Sequence, residues 1–207
     1  MSFAPALYVI TDRAVMGSDP VAAVAAAVAA GASAVELRER DLGARELYEL
    51  ACRMVAVCQR TGAKLLVNDR ADIAAAAGAS GVHLRADSMP PSEVRRAFPR
   101  LLVGASVHSV AEARAAAEAD FLLLGPIDDT PSKRVYGPPL GLATLSDVAR
   151  AVATPVVAVG GVTPASVQAL VAAGASGVAA IRAVWERPGE AVRAFLEALA
   201  AAGLRTA

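Results

Sequence analysis

The sequence predicts an α/β fold: a (β/α)8 TIM barrel formed by residues 1–207 as one domain. Three observations predict it. Short Val/Leu/Ile runs alternate with Ala-rich stretches from one end of the chain to the other. There are eight such runs in 207 residues, the lower end of the barrel range. The runs are apolar throughout, which suits parallel strands covered on both faces. A doubly wound sheet is the competitor, but it uses fewer strands and a Gly-rich first turn. Here the first turn reads TDRAVMGSD, without G-x-G-x-x-G.

The strands are predicted at ALYVIT (6–11), AVELRE (34–39), KLLVND (64–69), GVHL (81–84), LLVGAS (101–106), FLLLGP (121–126), PVVAVG (155–160) and GVAAIR (177–182). Between them, stretches such as ARELYELACRMVAVCQRTG and SDVARAVA place apolar residues at helical spacing. GASAVEL, GASGVHL and GASGVAAI each end a helix and begin a strand. Glycine tolerates the left-handed conformation at a helix end. The echo therefore argues for repeated βα units rather than for function.

Charge is balanced, with 20 basic and 20 acidic residues, and the arginines are scattered. Nothing points to nucleic acid or to an anionic membrane as partner. Hydrophobic residues make up 56% of the chain, enough for a sizeable core. Cys52 and Cys58 match no zinc or redox motif and read as half-buried thiols in a reducing cytosol. MSFAPALYVITD has no basic region or long apolar run of a signal peptide. VAAVAAAVAAGASAVEL is broken by Gly31 and reads as helix, turn and strand, not a membrane span. The expectation is a cytoplasmic protein. Barrel enzymes often self-associate, so a homo-oligomer fits, with the number of subunits open.

Barrel chemistry sits at the C-terminal ends of the strands. Polar residues gather there: Thr11, Asp12 and Arg13; Glu36, Arg38 and Arg40; Asn68, Asp69 and Arg70; His83, Arg85, Asp87 and Ser88; Ser106 and His108; Thr130, Ser132 and Lys133; Gly160 and Gly161; Arg182. Glu36, Arg38 and Arg40 alternate along the second strand, so they share one face. Several have structural readings too. Glu36 and Arg38 suit a buried ion pair. Asp69 suits either an N-cap of ADIAAAA, worth about 1 kcal/mol, or a functional role. His83 reads as a satisfied structural histidine. His108 precedes Ser109, which suits an N-cap, and either role fits it. The charges of RRAFPR read as a solvated face.

Two features favour an anionic ligand. VGGVTPASV puts two glycines at a strand end, then Thr163 as N-cap and Pro164 in the first helical turn. Backbone N–H groups at a helix start bind phosphate, and glycine admits a close ligand. The second feature is Lys133 with Thr130 and Ser132, together with Arg38 and Arg40, a mouth suited to phosphate or carboxylate.

LYVITD, LRER, LLVNDRADIA, GVHL, VGASVHS, GPIDDTPSK and PVVAVGGV, in that order, resemble the thiamine phosphate synthase and thiazole tautomerase superfamily. The resemblance covers nearly the whole chain. It implies a barrel acting on a small phosphorylated thiazole. It places Arg38 and Arg40 where the synthase pattern QLREK binds a pyrimidine diphosphate. Asn68 and Asp69 fall on an Asn-Asp pair whose Asp helps hold magnesium in the synthase. Ser106 falls in the substrate pocket, and Thr130 and Ser132 on the thiazole phosphate loop. Lys133 falls on a diphosphate-binding lysine. Gly161, Ile181 and Arg182 fall on the thiazole phosphate cradle, to which Gly160 belongs by position.

This chain departs from the synthase pattern in three places. Glu36 stands for the usual Gln, and a negative charge is unwelcome beside a diphosphate. RADS replaces the GQED text after GVHL, so Ser88 stands where a magnesium-binding Asp is usual, with Asp87 next to it. Arg182 replaces a small Ser. RADSMPPSEVRRAFP and SVHS look more like the tautomerase branch, but Pro126 occupies a place where some tautomerases carry a catalytic His. The expectation is a thiazole tautomerase that aromatises carboxythiazole phosphate without a cofactor, using Glu36 or else His108 as acid/base, with Arg38 and Lys133 assisting. The alternative is thiamine phosphate synthase, with magnesium held by Asp69 and Asp87. A third reading is a barrel that binds thiazole or thiamine phosphate without turnover, as a regulator.

Overall fold

The computed structural model describes residues 3–129 and 138–204. Each apolar run forms a strand: β1 (Leu7–Ile10), β2 (Ala34–Leu37), β3 (Lys64–Asn68), β4 (Gly81–Leu84), β5 (Leu102–Val107), β6 (Phe121–Leu124), β7 (Val156–Val159) and β8 (Gly177–Ala180). Neighbours pair in parallel in chain order, and β8 closes on β1 with Tyr8 opposite Ala179. The fold is the expected eight-stranded α/β barrel.

The helices are α1 (Pro20–Ala29), α2 (Ala44–Gln59), α3 (Ala71–Ala77), α4 (Pro91–Ala97), α5 (Val110–Ala115), α6 (Gly141–Ala151), α7 (Val167–Ala172), α8 (Arg182–Trp185) and α9 (Pro188–Ala201). Local chemistry sets their starts. Asp19 Oδ1 accepts from Val21 N at 3.0 Å and Ala22 N at 3.1 Å, and Pro20 opens α1. Ser109 Oγ caps α5 by accepting from Glu112 N at 3.1 Å, as its position predicts. Gly31, Gly78 and Gly174, the glycines of the GAS echo, all have positive φ. No described helix is long and apolar enough to cross a membrane. Arg95 of RRAFPR is more than a solvated charge: it donates to Glu118 O at 2.9 Å and pairs with Asp120 at 3.1 Å.

Side chains alternate across each strand, which divides the core in two. Leu7, Val9, Val35, Leu37, Leu65 and Val67 point outward and pack under the helices. On α2 the buried stripe Leu47, Leu50, Ala51, Met54, Val55 and Cys58 meets them. Burial pushes the Cys58 thiol up to about 11, so it is a core residue rather than a reactive one. Tyr8, Ala34, Leu66, Phe121, Val157 and Ala179 point inward and fill the barrel floor. There Tyr8 and Phe121 meet edge to face, with ring centroids 5.4 Å apart, and His83 lies 5.8 Å from Phe121. Gly104 makes room for them. A Cβ at Gly104 would lie 2.5 Å from Phe121 Cζ and 2.7 Å from His83 Nδ1.

Candidate active site

Above this floor the strand ends enclose a cavity of about 500 Å3. One wall carries Glu36, Arg38 and Arg40 from β2 and its extension, Asn68 from β3, and Arg85 after β4. Ser106 and His108 come from β5 and the residue after it. The other wall carries Gly160, Gly161 and Thr163 after β7, and Ile181 and Arg182 after β8. These strand-end residues, far apart in sequence, thus face one space. Thr130, Ser132 and Lys133 lie outside the described residues.

The β2 wall is held from behind. Thr11 is fully buried; its Oγ1 accepts from Arg38 N at 2.9 Å, and its own N–H donates to Glu36 O at 2.9 Å. One hydroxyl thus fixes the backbone that aims Arg38. Trp185 of α8 does the same for β1, donating Nε1–H to Ile10 O at 2.8 Å.

Glu36 is 2% exposed yet lines the cavity. Burial pushes its carboxyl up to about 7, while Arg38 and Arg40 pull it back. A carboxyl there exchanges its proton near neutral pH, the range useful to a general acid or base. His83 sits one layer deeper. Burial, reinforced by Arg38, pushes it down to about 3, so it is neutral. Its Nε2 lies 3.0 Å from Ser106 Oγ, and its Nδ1 has no hydrogen-bonding partner among the described residues. His83 is therefore only half satisfied. His108 is more open: its N–H donates to Glu112 Oε2 at 2.9 Å, and Nδ1 lies 3.0 Å from the same oxygen.

The opposite wall explains its glycines. Gly160 and Gly161 have φ of 95° and 70°. A Cβ on Gly160 would meet Pro126 Cα at 2.7 Å, and one on Gly161 would meet Asp128 Cβ at 2.5 Å. The chain after β6 lies against them, with Asp128 N donating to Gly160 O at 3.0 Å. Only glycine permits both the backbone and the contact. Pro126 lines the cavity and has no side-chain group that can carry a proton.

Asp69 is not a helix cap. The cap position of α3 falls on Arg70, without a side-chain bond. Asp69 itself has φ of 58° and donates its N–H to His83 O at 2.8 Å. That turn aims its carboxylate at the loop after β4, where Ser88 Oγ donates to Oδ1 and Arg85 Nη1 stands 3.9 Å from Oδ2. Asp87 meets the other side of the same guanidinium. It is ion-paired with Arg85 Nη2 and its side chain is 69% exposed. The place beside Asp69 belongs to Ser88.

A magnesium ion takes near-octahedral oxygens at about 2.0–2.1 Å, usually from one or two carboxylates, phosphates and water. Asp69 is not among the residues that line the cavity, and both its carboxylate oxygens already meet groups of this chain. Among the described residues no three His, Cys, Asp or Glu side chains are grouped to hold a metal ion. This donor set does not fit a tightly held magnesium.

Four further residues line the cavity: Asp12 and Arg85, noted in sequence only as polar strand ends, Thr163, noted only as an N-cap, and Asp129. Asp12, Arg85 and Thr163 follow strand ends, so position alone was a sufficient signal. Asp129 lies farther along its loop and gave none.

Arginines on one wall and paired glycines on the other define a barrel enzyme for small anionic substrates. The chain matches the thiamine monophosphate synthase family over residues 7–184, and it belongs to that family. It is 47% identical to a thiamine-phosphate synthase of Methanoculleus marisnigri over 182 residues, covering 86% of each chain. It is 42% identical to one of Roseiflexus castenholzii, covering 88% of this chain and 82% of the other. The structure superimposes on a thiamine phosphate pyrophosphorylase from Pyrococcus furiosus with a TM-score of 0.87 at 32% identity, covering 95% and 96% of the two chains. These relatives carry synthase names. They favour the synthase alternative over the tautomerase expected first.

Proposed function

We propose that this chain is a thiamine phosphate synthase, joining hydroxymethylpyrimidine diphosphate to thiazole phosphate with release of diphosphate. The observation that carries the reading is the shared cavity: arginines after β2 and paired glycines after β7, both suited to anions, line one space. Arg38 and Arg40 take the diphosphate, joined by Lys133. Gly160, Gly161, Ile181 and Arg182 take the thiazole phosphate, joined by Thr130 and Ser132. Asn68 and Ser106 line the space between.

In this reaction the bond between the pyrimidine methylene carbon and the diphosphate oxygen breaks, and its electron pair leaves with the diphosphate. The thiazole ring nitrogen then gives its lone pair to that carbon. Negative charge gathers on the leaving group, so fixed guanidinium groups aimed there lower the barrier. No side chain has to move a proton in that bond exchange. Asp69 orients the loop after β4.

Glu36 gives the tautomerase reading one specific support, a cavity carboxyl that titrates near pH 7. Purified protein should be incubated with both synthase substrates, and separately with the carboxythiazole phosphate tautomer. Thiamine phosphate in the first reaction supports the synthase. Aromatisation in the second alone selects the tautomerase. Saturable binding with neither product selects the regulator.

A further inference from the structure

The groups around Asp69 suggest how the diphosphate is met, granted the synthase reading above. Arg85 lies in the cavity lining on the same wall as Arg38 and Arg40. Its guanidinium stands between two carboxylates, with Nη1 3.9 Å from Asp69 Oδ2 and Nη2 on Asp87. Its backbone N–H donates to Ser88 Oγ at 3.0 Å, and the same hydroxyl donates to Asp69 Oδ1. Asp69, Arg85 and Ser88 thus form one fastened unit. The family resemblance puts magnesium in this neighbourhood. This chain puts a permanent cation there instead, and replaces the second metal carboxylate with a hydroxyl.

We propose that Arg85 is a diphosphate-binding residue that supplies from the chain itself positive charge otherwise brought by magnesium. Asp69 holds the guanidinium in the cavity wall. Asp87, 69% exposed, is the partner that phosphate oxygens displace, since a solvated ion pair is worth little. A guanidinium suits this exchange because its planar fork accepts phosphate as readily as carboxylate. Diphosphate binding by this chain is then only weakly dependent on divalent metal.

The test titrates inorganic pyrophosphate into the full-length protein by calorimetry, in excess chelator and in excess magnesium. The wild type should bind in chelator and gain little from magnesium. Arg85→Gly should lose about tenfold in affinity in chelator, the worth of one charge-assisted contact, and become magnesium-dependent. Arg85→Lys, which keeps the charge without the fork, should fall between them. Thermal melting of each variant verifies folding. Wild-type binding that requires magnesium overturns the proposal, as does undiminished binding by Arg85→Gly in chelator. Pyrophosphate binding is read without turnover, so the two readings fail separately. Metal-independent binding without thiamine phosphate formation removes only the synthase. Thiamine phosphate formation with strictly magnesium-dependent pyrophosphate binding removes only the role of Arg85.

Discussion

On β2, Ala34 helps close the barrel floor, and two residues later Glu36 opens its mouth. The floor is a buried cluster of rings around His83, and the mouth is a cavity edged by arginines. Arg38 acts on both regions with opposite results. It pulls the Glu36 carboxyl toward its charged form against burial, and it adds to burial in keeping His83 neutral. One cation therefore readies the mouth to titrate while holding the floor uncharged. Stability belongs to the floor and chemistry to the mouth, and substitutions should separate them.

Phe121→Ala should have the largest effect and should act on folding. The ring is fully buried against Tyr8 and His83, and its loss costs about 3–5 kcal/mol, read as a lower midpoint in urea unfolding. Arg38→Ala should do the reverse. It should lower kcat/KM for thiamine phosphate formation by about 10- to 100-fold, the worth of a charge-assisted contact, and shift the melting temperature little.

Glu36→Gln sharpens the comparison through pH. Glu36 is raised from 4.5 to about 7, so the native state holds its proton more tightly than the unfolded chain. Its contribution to stability is full below about pH 4.5 and lost as pH rises to about 7. His83 is lowered from 6.5 to about 3, so its contribution is full above 6.5 and lost as pH falls toward 3. Between pH 4.5 and 6.5 the two slopes oppose each other. Melting curves of Glu36→Gln should therefore fall more steeply on acidification from pH 6.5 to 4.5 than those of the wild type. Arg150→Ala, which removes an exposed pair with Asp147 far from both regions, should change stability by less than about 0.5 kcal/mol. A larger change in its unfolding midpoint would show that surface charge, too, carries stability.

The eight strands were legible because parallel strands covered on both faces leave unbroken apolar runs. The β2 wall was legible because alternation puts Glu36, Arg38 and Arg40 on one face. Asp69 was not. A cap and a carboxylate that ties down a neighbouring loop look alike in sequence, and the choice rests on a φ of 58° that turns the carboxylate toward Ser88. Arg85 and Asp87 were visible as polar residues after β4, but their pairing was not, since side-chain direction in a turn depends on how the loop closes. Thr11 reads as one more polar strand end, yet it is a buried clamp on Arg38. The branch was not legible because Glu36, Ser88 and Pro126 argue in different directions when taken singly.

The measurement that bears most directly on the account is the stoichiometry of products from hydroxymethylpyrimidine diphosphate and thiazole phosphate. The account predicts thiamine phosphate and diphosphate in equal amounts, with product formation lost in step with Arg38→Ala. Absence of thiamine phosphate from folded, ligand-binding protein would contradict it.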